Sequence, residues 1–82
     1  MQYEILAFAQ LRERFGASKV SVDLPEESTL KDLQALLIKR FPEAEVTILA
    51  SRFAVNQTYA VHLEQPLVHG DELALIPPVS GG

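Results

Sequence analysis

The run PPVSGG, residues 77 to 82, places Pro77, Pro78, Val79 and Ser80 ahead of Gly81 and Gly82. Glycine has no Cβ, so a Gly-Gly pair threads channels and accepts backbone geometries that other residues refuse. Four extended residues reach about 13–14 Å, and two prolines stiffen the root behind them. This is the shape of a thin probe that carries a terminal carboxylate into another protein. A carboxylate with a pKa of about 3.5 is ionised at neutral pH, and as an anion it resists nucleophilic attack. Reaction requires a better leaving group, such as an acyl-adenylate made with ATP. Nothing in the chain supplies that machinery, so a partner enzyme must. The plain alternative is a frayed end with no role.

Other reactive groups are sparse. His62 and His69 lack the spacing and carboxylate company of a metal site, so no metal is expected. Glu26-Glu27 and Glu43/Glu45 read as solvated acidic pairs, and Arg12 and Arg14, with Glu13, as surface ion pairs. The Gly70-Asp71 pair is a turn signal. No P-loop, dinucleotide-binding or triad pattern is present. There is no cysteine, which excludes disulfides, thiolate ligands and a thiol nucleophile. Any sulfur on the tail would therefore have to be placed on the terminal carbon from outside.

The 82 residues suffice for one domain. A domain of that size buries roughly 60–65% of its unfolded surface, too little to wall off a deep pocket. That favours a module working inside a partner over a self-contained enzyme. A net charge of −4 argues against nucleic acid and against an anionic membrane surface, both of which recruit Lys and Arg. A small domain without disulfides reads as cytoplasmic. Neither a signal peptide nor a membrane-length apolar run is visible.

The elements that must position the tail follow from periodicity. Residues 2–9 are rich in β-formers and read as a strand. Residues 10–15 read as a short helical turn closed by Gly16. In residues 18–24, Val20, Val22 and Leu24 alternate with Lys19, Ser21 and Asp23, the pattern of a half-buried strand. Thr29 and Asp32 form a capping-box pattern, with Ser28 a rival cap. Leu30, Leu33, Leu37 and Phe41 then share one helical face. Pro42 ends that helix. Residues 43–51 are expected as strand or loop. Residues 53–61 read as two short strands about an Asn56-Gln57 turn, 62–72 as loop, and 72–76 as a last strand stopped by Pro77. The result is an α+β domain over 1–76, a mixed sheet wrapped on one main helix, with a flexible tail over 77–82.

Strand alternation also predicts an exposed apolar face. If Ile5, Leu73 and Leu75 face the helix, then Leu6, Phe8, Ala74 and Ile76 point outward beside the tail. An uncovered apolar cluster is a candidate protein interface. Tyr59 is a further candidate whose register the sequence leaves open.

The segments "AFAQLRERFG", "AVNQT" and "HGDELALIPPVSGG", with the capped helix between them, resemble the small, sulfur-carrying subunits of molybdopterin synthase. The resemblance covers essentially the whole chain. It implies a β-grasp fold similar to ubiquitin. It further implies that Gly82 is adenylated by a ubiquitin-activating-like adenylyltransferase, which uses the ATP, with no cofactor bound to this chain. The adenylate becomes a thiocarboxylate. The tail, Pro77 to Gly82, then enters the large subunit, where sulfur passes to cyclic pyranopterin monophosphate. Two transfers build the dithiolene that later binds molybdenum. The family assembly is a heterotetramer, and the small subunit is not catalytic alone. Family interface positions fall on Phe8 and Ile76, and one falls near Tyr59. His69 stands where relatives often have Asp, and Ser80 where they often have Thr. Rival readings are a thiamine-pathway or tRNA-thiolation sulfur carrier, a ubiquitin-like protein modifier, and a plain interaction module.

Overall fold

The computed structural model describes residues 1–78. Strand β1 (Gln2–Ala7) pairs antiparallel with β2 (Lys19–Asp23), with Ile5 opposite Val20 and Tyr3 opposite Val22. The chain between them forms α1 (Ala9–Phe15). It ends at Gly16, whose φ of 76° is the left-handed cap that sequence reading assigned to it. The first strand is shorter than expected. Phe8 already serves as the N-cap of α1, and Ala9 adopts a positive φ of 52°, which turns the chain off the sheet.

The main helix, α2 (Leu30–Arg40), starts where the capping pattern placed it. Thr29 N–H donates to Asp32 Oδ2 at 2.8 Å, and Asp32 N–H donates to Thr29 Oγ1 at 3.3 Å. Ser28 does not cap; its hydroxyl donates to the Pro25 carbonyl at 2.7 Å. Further amides of the first turn are satisfied by the loop before the last strand. Leu30 N–H donates to Gln65 O and Lys31 N–H to Leu63 O. That loop in turn buries Leu67. Thr29→Ala removes one half of the box while leaving these loop bonds. It is expected to cost about 1 kcal/mol in urea unfolding, with an unchanged m-value.

Residues 43–51 depart from the expectation of strand or loop. Pro42–Ala44 form a 3₁₀ turn that runs into a short helix, α3 (Glu45–Ala50). Phe41, Ala44 and Ile48 recur at i, i+3 and i+7; Ala44 and Ile48 are fully buried, and Phe41 stacks on Phe15 at 4.4 Å between ring centroids. Two buried positions make too short a stripe for periodicity to outweigh the β-branched Val46, Thr47 and Ile48. The tertiary burial of Ile48 decides the matter.

The remaining strands are β3 (Arg52–Val55), β4 (Thr58–Tyr59) and β5 (Leu73–Ile76). The five strands form one sheet in the order β2-β1-β5-β3-β4. The first and last strands lie side by side and parallel at its centre, with Ile5 opposite Leu73 and Ala7 opposite Leu75. The others flank them antiparallel. Leu30, Leu33 and Leu37 of α2 share a single core with Ile5, Leu73, Leu75 and Phe53 from the sheet. A mixed sheet holding one main helix in this order is the expected α+β, β-grasp fold.

Asn56 and Gln57 turn β3 into β4 with positive φ values of 52° and 69°, as a tight hairpin of this twist requires. Asn56 also ties the hairpin to the start of β5. Its Nδ2 donates to Asp71 Oδ1 at 3.0 Å, and its Oδ1 accepts from Glu72 N–H at 2.9 Å. Asn56→Gly keeps the left-handed backbone and loses both bonds, at an expected cost of about 1 kcal/mol. Asn56→Ala loses the bonds and adds left-handed strain, so it is expected to cost about 2 kcal/mol. Chemical denaturation of the two variants separates the terms.

Candidate functional site

One face of the sheet is taken by the helix; the other is open. The period-two alternation of β1 sends Tyr3, Ile5 and Ala7 inward and Leu6 and Phe8 outward. In β5, Leu73 and Leu75 point into the core, and Ala74 and Ile76 outward. In β3, Phe53 faces inward and Ala54 outward. Register then aligns the outward set: Leu6 beside Ala74, Ala74 beside Ala54, and Ala54 beside Tyr59. Leu6, Phe8, Ala54, Tyr59, Ala74 and Ile76 line a shallow, largely apolar groove. The small Ala54 and Ala74 form its floor, which is why they are nearly buried although they face out.

Phe8 and Tyr59 stand as exposed walls, at 45% and 48% of their accessible surface. Two large aromatic side chains left open beside one apolar groove make this face a candidate interaction surface. The outward cluster expected from alternation is therefore present, and the β3–β4 register brings Tyr59 into it. Gln57 and Glu72 close the groove at the end away from Ile76.

Sequence reading missed Arg52. Its register partner is Ile76, and its guanidinium carbon lies 4.1 Å from the centre of the Tyr59 ring, within cation–π range. The charge of Arg52 was visible in the chain; its stacking was not, because that depends on which residue of β4 faces Ala54.

Ile76 leads directly to the tail's root. Pro77 is buried and Pro78 exposed. Val79, Ser80, Gly81 and Gly82 lie outside the described residues. His62 and His69 are exposed, as expected. Among the described residues no group of three or more His, Asp or Glu is arranged to hold a metal ion. The expected ion pairs of Arg12 and Arg14 are not formed among the described residues. Arg14 instead donates to the Glu43 carbonyl at 3.4 Å, since Glu13 projects from a neighbouring position of the same short helix rather than across a turn. No helix among the described residues is long and apolar enough to cross a membrane.

The mixed sheet around one helix, with its second face left apolar and open, defines a ubiquitin-like β-grasp domain. The chain belongs to the ThiS family, which it matches over residues 5–82. It is 40% identical to the molybdopterin synthase sulfur carrier subunit of Dictyostelium discoideum, over 99% of this chain and 96% of the relative. Among solved structures it superposes on SAMP1 from Haloferax volcanii with a TM-score of 0.86 and 32% identity over the whole of both chains. It also shares the fold of a protein in the complex of subunits 1 and 2 of the molybdopterin-converting factor from Helicobacter pylori. There the TM-score is 0.72 and the identity 24%, with both chains fully covered.

Proposed function

We propose that this protein is the sulfur carrier subunit of a molybdopterin synthase. The observation that carries the reading is the open apolar groove ending at Ile76, directly before the segment that closes on Gly82. A docking face beside a Gly-Gly terminus suits a protein whose reactive atom is used inside another. The family match through residue 82 and the carrier relative support it.

In this reading the Gly82 carboxylate oxygen attacks the α-phosphorus of ATP on a ubiquitin-activating-like adenylyltransferase. Pyrophosphate leaves and an acyl-adenylate forms. A sulfur nucleophile then displaces AMP, leaving a terminal thiocarboxylate. Docked on the large subunit, that sulfur attacks an oxygen-bearing carbon of cyclic pyranopterin monophosphate; the carbon–sulfur bond forms as the carbon–oxygen bond breaks, and the oxygen leaves with a proton supplied by the partner. Water cleaves the acyl–sulfur bond, so sulfur stays on the pterin and the Gly82 carboxylate is regenerated. Two loaded carriers supply the two sulfurs of one dithiolene, consistent with a heterotetramer of two small and two large subunits. The carrier contributes the reagent and its delivery; acid–base groups come from the partner.

Intact mass after incubation with ATP, a sulfur source and the adenylating enzyme tests the first half. The expected gain is one sulfur less one oxygen, lost on removal of Gly82. No gain with an enzyme competent on another carrier would overturn the reading. The second half is read by adding the large subunit and the pterin substrate and measuring dithiolene product. The likeness to the archaeal SAMP1 fold keeps a protein-modifier reading open. Attachment of the activated chain to lysines, with no product from the pterin, would decide for it.

A further inference from the structure

We infer that Arg52 is a docking residue for a carboxylate on the large subunit, placed to hold the sheet face at the root of the tail. The inference rests on the function proposed above and names a chemistry for the surface that covers the groove. Three observations carry it. Arg52 sits opposite Ile76 in register, at the tail end of the groove. Its guanidinium is laid over the exposed Tyr59 ring, with the carbon 4.1 Å from the ring centre. Among the described residues it forms no ion pair; the cations that do are the N-terminus and Lys19.

A guanidinium is planar, and one seated over an aromatic ring still has edge N–H donors to offer, in the fork that a carboxylate accepts in two parallel bonds. Stacking also restricts the long side chain before the partner arrives, so less freedom is lost on binding. The far end of the groove carries the opposite sign, at Glu72. The apolar strip thus lies between a cation at the tail end and an anion at the other. A complementary partner is held in one orientation along the strip, the one that points the tail inward.

The test is binding of Arg52→Glu and Arg52→Gln to the purified large subunit, at about 50 mM and about 500 mM salt, where screening differs strongly. Arg52→Gln retains a flat group over Tyr59 and guards against a folding defect, which a thermal melt also checks. The expected result at low salt is a loss of affinity of about tenfold or more for Arg52→Glu. Arg52→Gln should lose less, and both variants should depend less on salt than the wild type. Wild-type affinity in Arg52→Glu at low salt would overturn the inference. Equal losses in both variants with the wild-type salt dependence would also overturn it, assigning Arg52 to packing alone. Failure of the wild-type chain itself to bind would instead sink the proposed function.

Discussion

Deletion of Gly82 is expected to abolish sulfur loading and transfer while leaving the melting temperature within about 1 °C of the wild type. The two halves of this result have separate causes. Among the described residues, every member of the apolar core cluster lies at or before Leu75, the backbone pairing of β5 ends at Ile76, and Gly82 has no side chain to bury. Removing the last residue therefore takes nothing from the hydrophobic term that dominates stability. In the proposed function, by contrast, the chemistry resides on one carbonyl carbon. Shortening the chain by a residue draws that carbon back by about 3.5 Å, and displacements of about 1 Å already cost roughly a hundredfold in well-oriented reactions. Intact mass and product formation measure the loss; a melt of the same sample measures the control. Product formed at the wild-type rate by the deletion variant would refute the role of Gly82.

Phe8→Asp is expected to weaken binding to the large subunit by about a hundredfold or more without destabilising the fold. Truncating a central aromatic of an interface typically costs 2–4 kcal/mol, and a carboxylate placed against an apolar partner adds a desolvation penalty. The fold tolerates the change because Phe8 is outside the core and half exposed. Phe8 is also the N-cap of α1, with an extended backbone and no side-chain cap bond. Ala9, the next residue, has a positive φ of 52°, so no ordinary capping bond is gained or lost and the variant should melt near the wild-type temperature. Calorimetric titration against the large subunit, with a melt alongside, reads both effects. Unchanged affinity would remove Phe8 from the interface.

The parts of this fold that were legible in the chain are those in which local preference and burial agree. Val20 and Val22 alternate with polar neighbours and lie on a half-buried strand. Leu30, Leu33 and Leu37 keep helical spacing behind a Thr29–Asp32 cap, and all three are fully buried. The outward face was legible for the same reason: once Ile5 and Leu75 point inward, a period of two leaves Phe8 and Ile76 no other side. Legibility failed where the deciding contact is distant in sequence. Residues 45–50 are helical because Ile48 finds the core, and Leu67 is buried because its loop feeds the first turn of α2. Tyr59 and Arg52 meet only through a hairpin register that depends on two left-handed residues. Composition announces none of these.

The parallel pairing of β1 with β5 has a consequence for biosynthesis. The middle of the sheet joins the first strand of the chain to the last. Contacts so distant in sequence form late and slow the search for the native state. During translation β1 waits, paired on one edge alone, until Leu73 to Ile76 emerge. A chain interrupted before Leu73 has no central strand and joins its two outer pairs to nothing. Completion of the fold thereby serves as a length check. A ribosomal product assembles the groove only after Leu73 to Ile76 have been made, so a chain broken off before them lacks the groove's central strand.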